Sequence, residues 1–342
     1  MDTLDKKDFG ERIDFDSKDD DDELLQWDKD HSHTVPFNQY NDRELNIKYI
    51  KEKHTMIKSD EKGESRKVLR LSDIVGTDKG SIQQREVVIS FLKICGLWTD
   101  EEGNFIDSIE SANDSYDKIL LVPGPAGTGK SFVIDVLYTE LKERWMKKNL
   151  SSDNPEILVC APTGKAALAI GGYTIQGSDD LKVPVEKLDD VERNNCLKGS
   201  TLTAFQARIM KTISVILDEF SMISSKQMFW IHKRLQEGSR KDLPFGGMPI
   251  IIFGDPGQIA PVGGSSLWLS KTVTKRHLDP IALLGHQHYT RVKNVLYLTQ
   301  VRRQHGRFRD MLLRLRDGKF THEDWSLLLN KCCYEMMSNE KK

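Results

Sequence analysis

The sequence predicts an α/β fold built on a doubly wound parallel sheet. Three observations predict it: short runs that are apolar on both faces recur along the chain, helical patterns separate them, and a glycine-rich turn ends the first run. Runs of this kind are typical of parallel strands, because crossover connections place helices over both faces of the sheet.

The elements can be placed in chain order. Order is expected to begin near Ile82, because Val87, Val88, Phe91, Leu92 and Cys95 recur at the spacing of an amphipathic helix. A loop is predicted over 103–117, and a second helix over 131–145. The predicted buried strands cover residues 118–122, 157–160, 213–217 and 249–253, with 295–298 as a weaker candidate.

Composition separates a polar N-terminal segment from the rest of the chain. Residues 1–30 carry 13 acidic and 5 basic side chains, net −8, whereas the whole chain of 342 residues is net −2, which leaves residues 31–342 at net +6. Residues 1–70 lack sustained periodicity and are predicted to be a disordered acidic tail, most simply a solvated one. The mildly basic remainder is compatible with a polyanionic partner without establishing one.

Cysteine usage and hydropathy exclude several protein classes. The 5 cysteines are odd in number and form no CxxC pair, which is typical of a reduced intracellular protein rather than of a disulfide scaffold or zinc site. No apolar run approaches the ~20 residues of a membrane helix, and the acidic N-terminus resembles neither a secretory signal nor a transit peptide. We therefore expect a nuclear or cytoplasmic protein.

The strongest motif is a GxxxxGK[ST] pattern that lies between a predicted strand and a predicted helix, the context that a P-loop requires. Glycines let the backbone wrap a phosphate, so that its N–H groups and the helix N-terminus face negative charge. Lys130 is predicted to reach the β and γ phosphates, and the Ser131 hydroxyl to bind Mg²⁺. The predicted phosphate-binding residues are Gly124, Pro125, Ala126, Gly127, Thr128, Gly129, Lys130 and Ser131.

A P-loop needs a second metal anchor, and Asp218-Glu219 supplies a candidate. The predicted strand 213–217 would deliver Asp218 to Mg²⁺ at its carboxyl end. Glu219 would then be placed to activate the attacking water as a general base. Such a pair is often only an exposed strand end, and it gains weight here from following a P-loop.

Two polar segments could complete a hydrolytic site. Gln258 follows the segment Ile251–Asp255 at the carboxyl end of the predicted strand 249–253, where an amide could sense the γ-phosphate or position water; a surface loop is the alternative. The segment Gln300–Gln304 contains two adjacent arginines. A guanidinium aimed at the γ-phosphate is often worth ~10³-fold or more in rate, whereas an isolated pair of arginines is usually a solvated charge cluster.

Taken together, these residues resemble the Pif/RecD-like branch of superfamily-one DNA helicases, which includes the helicase half of Helitron transposons. The resemblance covers roughly residues 80–330 and rests on an ordered set of motifs. These are the P-loop, Cys160–Ala167 (motif Ia), Gly171–Ile175, Asp218–Met222 (DExSM), Pro244–Gly247 with Gly254–Gln258 (motif III), Arg303-Gln304 (motif IV) and the stretch Phe308–Leu327, which contains Leu313, Arg316, Gly318 and Thr321.

The resemblance implies an ATP- and Mg²⁺-dependent helicase that moves five-prime to three-prime on single-stranded DNA and opens duplex junctions. It implies roles in DNA repair, recombination or telomere maintenance, a nuclear location and action as a monomer. Adenine would be read by Gln84 or Gln83, with Gln84 favoured, and Arg303 would be the arginine finger. The residues that would lie along the DNA backbone are Pro162, Thr163 and Lys165.

The sequence also departs from the family pattern. Thr174-Ile-Gln-Gly177 stands where the family has TIHS, and Gly254-Asp-Pro-Gly-Gln258 stands where it has GDFxQ, which bears on the positioning of Gln258. No motif V or VI is recognisable before Lys342. We therefore expect a tail over 1–70, a RecA-like motor domain over 80–305 and a helical segment over 306–342 that leads to an absent second motor domain.

This expectation leaves a second function open. The chain could be a truncated or transposon-derived remnant that binds nucleotide and DNA without unwinding. A P-loop kinase is a distant third, because motif Ia and the GDxxQ segment have no place there.

Overall fold

The structure is a computed structural model of the chain. It describes residues 68–106, 115–150, 154–177, 181–184, 196–268, 279–304 and 306–329. The predicted acidic tail therefore lies outside the described residues except for its last three positions, and so do residues 330–342 of the predicted C-terminal segment. Within the described part of the chain, no helix combines the length and apolar character needed to cross a membrane.

The described residues contain a six-stranded sheet in the order β3-β2-β4-β5-β1-β6. Every pairing in it is parallel. This arrangement confirms the predicted doubly wound α/β fold. The strands are β1 (Ile119–Pro123), β2 (Glu156–Ala161), β3 (Tyr173–Thr174), β4 (Thr212–Leu217), β5 (Ile250–Gly254) and β6 (Asn294–Val295).

Helices fill the connections between strands. The α-helices are α1 (Lys79–Ile94), α2 (Lys130–Asn149), α3 (Gly164–Ala169), α4 (Gly199–Lys211), α5 (Ser225–Ser239), α6 (Pro280–Thr290) and α7 (Gly306–Arg316). Short 3₁₀ helices cover Leu71–Asp73, Ser115–Lys118, Phe220–Met222 and Pro244–Gly247. Residues 322–329 are helical again.

The sheet separates two apolar cores, as strand geometry requires. Along β1, Leu120 and Val122 face a cluster that includes α1 and α2. Ile119 and Leu121 face the opposite cluster, which includes α4 and α5. Successive side chains of a strand point to opposite faces, so a strand covered on both sides is apolar at every position. That is why continuous apolar runs predicted these strands.

The structure adds the short strand β3, which the sequence did not predict, and shifts the ends of several predicted elements. Helix α1 begins at Lys79 rather than near Ile82, because the Asp78 carboxylate accepts hydrogen bonds from the backbone N–H groups of Gly80 and Ser81 and so caps the first turn. The weak strand prediction over 295–298 is shifted, since β6 pairs with β1 only at Asn294 and Val295. The first turn of a helix is often polar, so the periodicity of apolar residues does not predict it.

A cluster of rings joins α5, α6 and the Pro244–Gly247 turn away from the P-loop. The rings of His232 and His288 stack with centroids 3.9 Å apart, and Phe245 packs edge-on against both. His232 Nδ1 accepts a hydrogen bond from the Phe245 N–H, and His288 Nδ1 lies 2.6 Å from the Tyr116 hydroxyl. Burial, together with nearby positive charge, lowers the pKa of His232 to about 3 and that of His288 to about 4.

We expect this cluster to make the fold acid-sensitive. Because both pKa values lie below the ordinary 6.5, the unfolded chain binds more protons than the folded one between about pH 6.5 and pH 4, so stability falls as pH falls through that window. Each histidine contributes about 1 kcal/mol of this loss between pH 7.5 and 5.5. Thermal unfolding at the two pH values should show a smaller loss for His288→Phe than for the wild type.

The matched control is His322→Gln, which removes an exposed histidine far along the chain. This variant should lose as much thermal stability on acidification as the wild type. An unchanged acid sensitivity in His288→Phe would contradict the assignment.

Candidate functional site

The P-loop follows β1 and begins α2. Gly127 and Gly129 adopt left-handed backbone conformations, with φ of +86° and +89°, which side chains rarely allow. The Thr128 hydroxyl donates to the Pro125 carbonyl, 3.0 Å away, and stiffens the turn. The structure therefore gives residues 124–131 the strand–turn–helix geometry predicted for a phosphate-binding loop, with Ala126 and Ser131 exposed.

Lys130 is the buried cation of this loop. Its side chain donates hydrogen bonds to the carbonyls of Gly124 and Pro125, at 2.7 and 3.1 Å. Burial lowers the pKa of Lys130, while the carboxylates of Asp218, Glu219 and Asp255 act in the opposite direction. Three carboxylates therefore act electrostatically on the P-loop lysine.

Gln84 lies beneath the loop. Its side-chain amide donates to the Thr128 carbonyl at 2.9 Å, and the residue is only 2% exposed. A Cβ on Gly129 would lie 2.3 Å from that amide nitrogen, so a side chain there would displace Gln84, and the φ of +89° itself favours glycine. Gln83 is bonded to Thr299 instead. The structure places Gln84 as a support of the P-loop; adenine reading by either residue stays a prediction.

Strand β4 delivers Asp218 and Glu219 to the same edge of the sheet. Asp218 is 5% exposed, and burial raises its pKa against the opposing effects of the Glu219 N–H and of Lys130. Glu219 has a left-handed backbone, φ +53°. Its Oε2 is buried without a hydrogen-bond partner among the described residues. Burial and the charge of Asp218 raise the pKa of Glu219.

Strand β5 brings Asp255 and Gln258 beside the P-loop. Gly254 ends the strand, and an added Cβ there would lie 2.6 Å from the Phe220 ring, so the turns after β4 and β5 are in close contact. Asp255 is 2% exposed, and its Oδ1 accepts from the Gly257 N–H at 3.0 Å. Gln258 is half-buried and lines a cleft with Pro125 and Ala126.

The segment that contains the two arginines bridges the P-loop and α1. The N–H groups of Arg302 and Arg303 both donate to the Gly127 carbonyl, at 2.8 and 3.3 Å. The Arg302 guanidinium then turns to α1, where it donates to Asp78 and Ser81. Arg303 is exposed beside the loop, and no hydrogen bond or ion pair engages its guanidinium within the described ranges. Only one of the two arginines is thus free to meet a phosphate.

Motif Ia lies elsewhere on the same edge. Pro162, Thr163 and Lys165 follow β2, which β4 and β5 separate from β1 in the sheet. The Thr163 hydroxyl caps α3 by accepting from the Ala166 N–H at 3.2 Å, and Lys165 is exposed. The structure therefore gathers the P-loop, Asp218, Glu219, Gln258 and Arg303 into one region and sets these three residues apart from it, at the carboxyl end of another strand.

The predicted metal-binding residues offer oxygen donors, which are the ligands that Mg²⁺ takes in proteins. Over the described ranges, no group of three or more His, Cys, Asp or Glu side chains could hold a metal ion. Mg²⁺ commonly binds through one or two protein oxygens together with substrate phosphates and water. The exposed Ser131 hydroxyl and the Asp218 carboxylate are oxygen donors of that kind.

Three side chains near the site carry contacts that the motifs did not predict. Gln300 accepts from the Gly80 N–H at 2.6 Å, Arg302 holds the N-terminus of α1, and Arg316 forms an ion pair with Asp255. The local spacing of residues cannot predict these contacts, because each contact joins residues that are 61 or more positions apart.

Comparison with known proteins extends the similarity beyond the motifs. A family model described as PIF1-like helicase matches residues 97–326. The ATP-dependent DNA helicase Pif1 of Bdellovibrio bacteriovorus is 30% identical over 162 residues, which cover 47% of this chain and 32% of that protein. The ATP-dependent DNA helicase RRM3 of Saccharomyces cerevisiae is 24% identical over 199 residues, which cover 58% of this chain and 25% of that protein.

One solved structure that aligns with part of the chain is that of a Pif1 helicase. The crystal structure of a Bacteroides Pif1 helicase in complex with ADP-AlF3 and single-stranded DNA aligns with a TM-score of 0.45 and 24% identity, covering 63% of this chain and 46% of that one. The chain spans between a fifth and a third of the length of the first curated relatives it matches.

Proposed function

The chain belongs to the PIF1-like helicase family, and from that premise we propose that residues 80–305 are the ATP-binding motor domain of a DNA helicase. The observation that carries the proposal is the convergence on one P-loop of the buried Lys130, the buried Asp218 carboxylate with the half-buried Glu219 carboxylate, and an arginine that no described residue engages. A fixed arrangement of charges around a phosphate loop is what phosphoryl transfer requires, because its catalysis consists mainly of positioning and electrostatics.

In this proposal each side chain has a distinct task. Lys130 exchanges its two carbonyl contacts for β and γ phosphate oxygens, while the N–H groups of residues 124–131 hold the phosphates. Mg²⁺, when bound by Ser131 and Asp218, would neutralise charge on the phosphates. Glu219 accepts a proton from the attacking water, Gln258 senses the γ-phosphate, and Arg303 stabilises the charge that develops on it.

The DNA side of the proposal rests on family membership and on motif Ia. Pro162, Thr163 and Lys165 are the proposed contacts to the single-stranded backbone, and such phosphate contacts should weaken with salt. We further propose five-prime to three-prime translocation, unwinding of duplex junctions and a nuclear role in DNA repair, recombination or telomere maintenance. The yeast relatives RRM3 and PIF1 carry the names of DNA helicases.

The primary test is ATP hydrolysis with and without single-stranded DNA. We expect single-stranded DNA to stimulate hydrolysis in the wild-type chain, and Lys130→Ala to lower the rate by about 10²–10³-fold, since it removes one preorganised charged donor. Lys165→Ala is the matched lysine variant; it should keep basal hydrolysis and weaken only the stimulation by DNA. Failure of the folded wild-type chain to bind ATP would refute the proposal.

Strand separation on a DNA substrate with a five-prime tail distinguishes the helicase from the second candidate function, a nucleotide- and DNA-binding remnant that does not unwind. DNA-stimulated hydrolysis that Lys130→Ala abolishes, combined with no unwinding, would favour a nucleotide- and DNA-binding remnant. Unwinding that depends on Lys130 would exclude the remnant.

A further inference from the structure

The Asp255 carboxylate is held by an arginine from outside the strands of the sheet. Arg316, the last residue of α7, places its Nε 2.9 and 3.1 Å from the two carboxylate oxygens of Asp255. A terminal guanidinium nitrogen of Arg316 lies 2.9 Å from Oδ1 of the same carboxylate. Asp255 is only 2% exposed. A carboxylate buried to this degree needs a countercharge, and α7 supplies it.

The stem of Arg316 also lies against the turn that carries Gln258. A Cβ added to Gly257 would approach Arg316 Cγ to 2.5 Å and Nε to 3.0 Å. Glycine at this position therefore makes room for the arginine stem. The turn is fixed from within by two bonds to Asp255, since Gly257 N–H donates to Oδ1 and Gln258 N–H donates to the carbonyl.

We propose that Arg316 is a positioning residue, which acts through Asp255 to hold Gln258 where the γ-phosphate of bound ATP would lie. Arg316, Gln258 and the P-loop residues Pro125 and Ala126 line one cleft. Arg316 neutralises the buried charge at the start of the turn, and its stem restricts the turn's backbone. The inference rests on the proposed function, because it presumes that Gln258 senses the γ-phosphate.

This assignment gives α7 a task in nucleotide sensing. Helix α7 follows the arginine segment and ends at Arg316, so displacing the helix would withdraw the countercharge from Asp255. The turn would then lose its outer restraint, and the site would distinguish ATP from ADP less well. Binding of the shared α and β phosphates, which the P-loop residues hold, would remain.

The test compares the affinities of a fluorescent ADP and a fluorescent non-hydrolysable ATP analogue for the full chain in the presence of Mg²⁺. In Arg316→Gln, the ratio of the two dissociation constants should fall about tenfold, the effect of losing one charge-assisted hydrogen bond, with ADP affinity unchanged. Arg316→Lys keeps the charge without the forked geometry and should retain part of the ratio.

The matched control is Arg314→Gln. It breaks another arginine–aspartate pair of α7, with Asp324, which lies outside the cleft. This variant should keep the wild-type ratio, whereas a purely structural role for Arg316 would make the two variants behave alike. Gly257→Ala displaces Arg316 without removing a charge, and it should lower the ratio as well.

Two further outcomes separate this inference from the proposed function. A wild-type ratio in folded Arg316→Gln, or in Gly257→Ala if Arg316→Gln does not fold, would overturn the inference and leave the proposed function standing. A wild-type chain that binds neither nucleotide would overturn the proposed function and this inference with it.

Discussion

Arg303→Ala is expected to lower DNA-stimulated ATP hydrolysis about 10³-fold, with less than a few-fold change in ATP affinity. The structure holds the backbone of Arg303 to the P-loop through the Gly127 carbonyl. Its side chain is exposed beside that loop. A cation placed there meets the γ-phosphate chiefly as charge develops in the transition state, so its loss should appear in kcat rather than in KM. Steady-state hydrolysis and nucleotide titration measure the two quantities separately.

Arg302→Ala is the matched control for this experiment. It removes the neighbouring guanidinium, which is engaged by Asp78 and Ser81. We expect little loss of stability, as for a half-exposed ion pair, and a rate within a few-fold of wild type. Equal losses of rate in the two variants, or a normal rate in Arg303→Ala, would show that Arg303 is not the finger.

Glu219→Gln is expected to lower hydrolysis about 10²–10⁴-fold, the usual contribution of a general base. The amide keeps the size of the side chain but cannot accept the proton of the attacking water. ATP affinity should persist, since the phosphate-binding residues are unchanged. Single-turnover hydrolysis with pre-bound ATP isolates the chemical step from binding.

A second substitution at the same position separates catalysis from stability. Glu219 adopts a left-handed conformation and buries one unpartnered oxygen among the described residues. Glycine removes both the backbone strain and the buried, unpartnered oxygen. We therefore expect Glu219→Gly to raise the free energy of unfolding by about 1 kcal/mol, and with it the unfolding temperature, while hydrolysis is lost. A less stable Glu219→Gly protein, or one that still hydrolyses ATP at the normal rate, would contradict this interpretation of Glu219.

Local pattern was sufficient for the four buried strands β1, β2, β4 and β5 and for the residues at their carboxyl ends, but not for the short edge strands β3 and β6. The apolar runs before Gly124, Asp218 and Asp255 predicted three neighbouring strands of a parallel sheet, and the carboxyl ends of such strands meet at one edge. The order of motifs along the chain then predicted which side chains gather there. The structure places the P-loop, Asp218, Glu219 and Gln258 accordingly.

Local sequence patterns could not predict the contacts between segments that are distant in the chain. Nothing local to Arg316 indicates that it binds Asp255, and nothing in the Arg302-Arg303 pair tells which guanidinium is engaged by α1. The family resemblance offered Gln84 or Gln83 as the adenine reader, and no local pattern indicated that the Gln84 amide is bonded to the Thr128 carbonyl. Such pairings depend on how helices pack on the sheet, which periodicity does not encode.

The strand order has a consequence for folding during translation. Strand β1 pairs with β5 at Ile119 and Ile250 and with β6 at Leu120 and Asn294, so each partner emerges long after it. At ribosomal speeds of about 5–20 residues per second, β1 waits roughly 7–26 seconds for its first neighbour. Until then the apolar side chains of β1 are exposed to non-native contacts. The nucleotide-binding site can therefore form only late in synthesis.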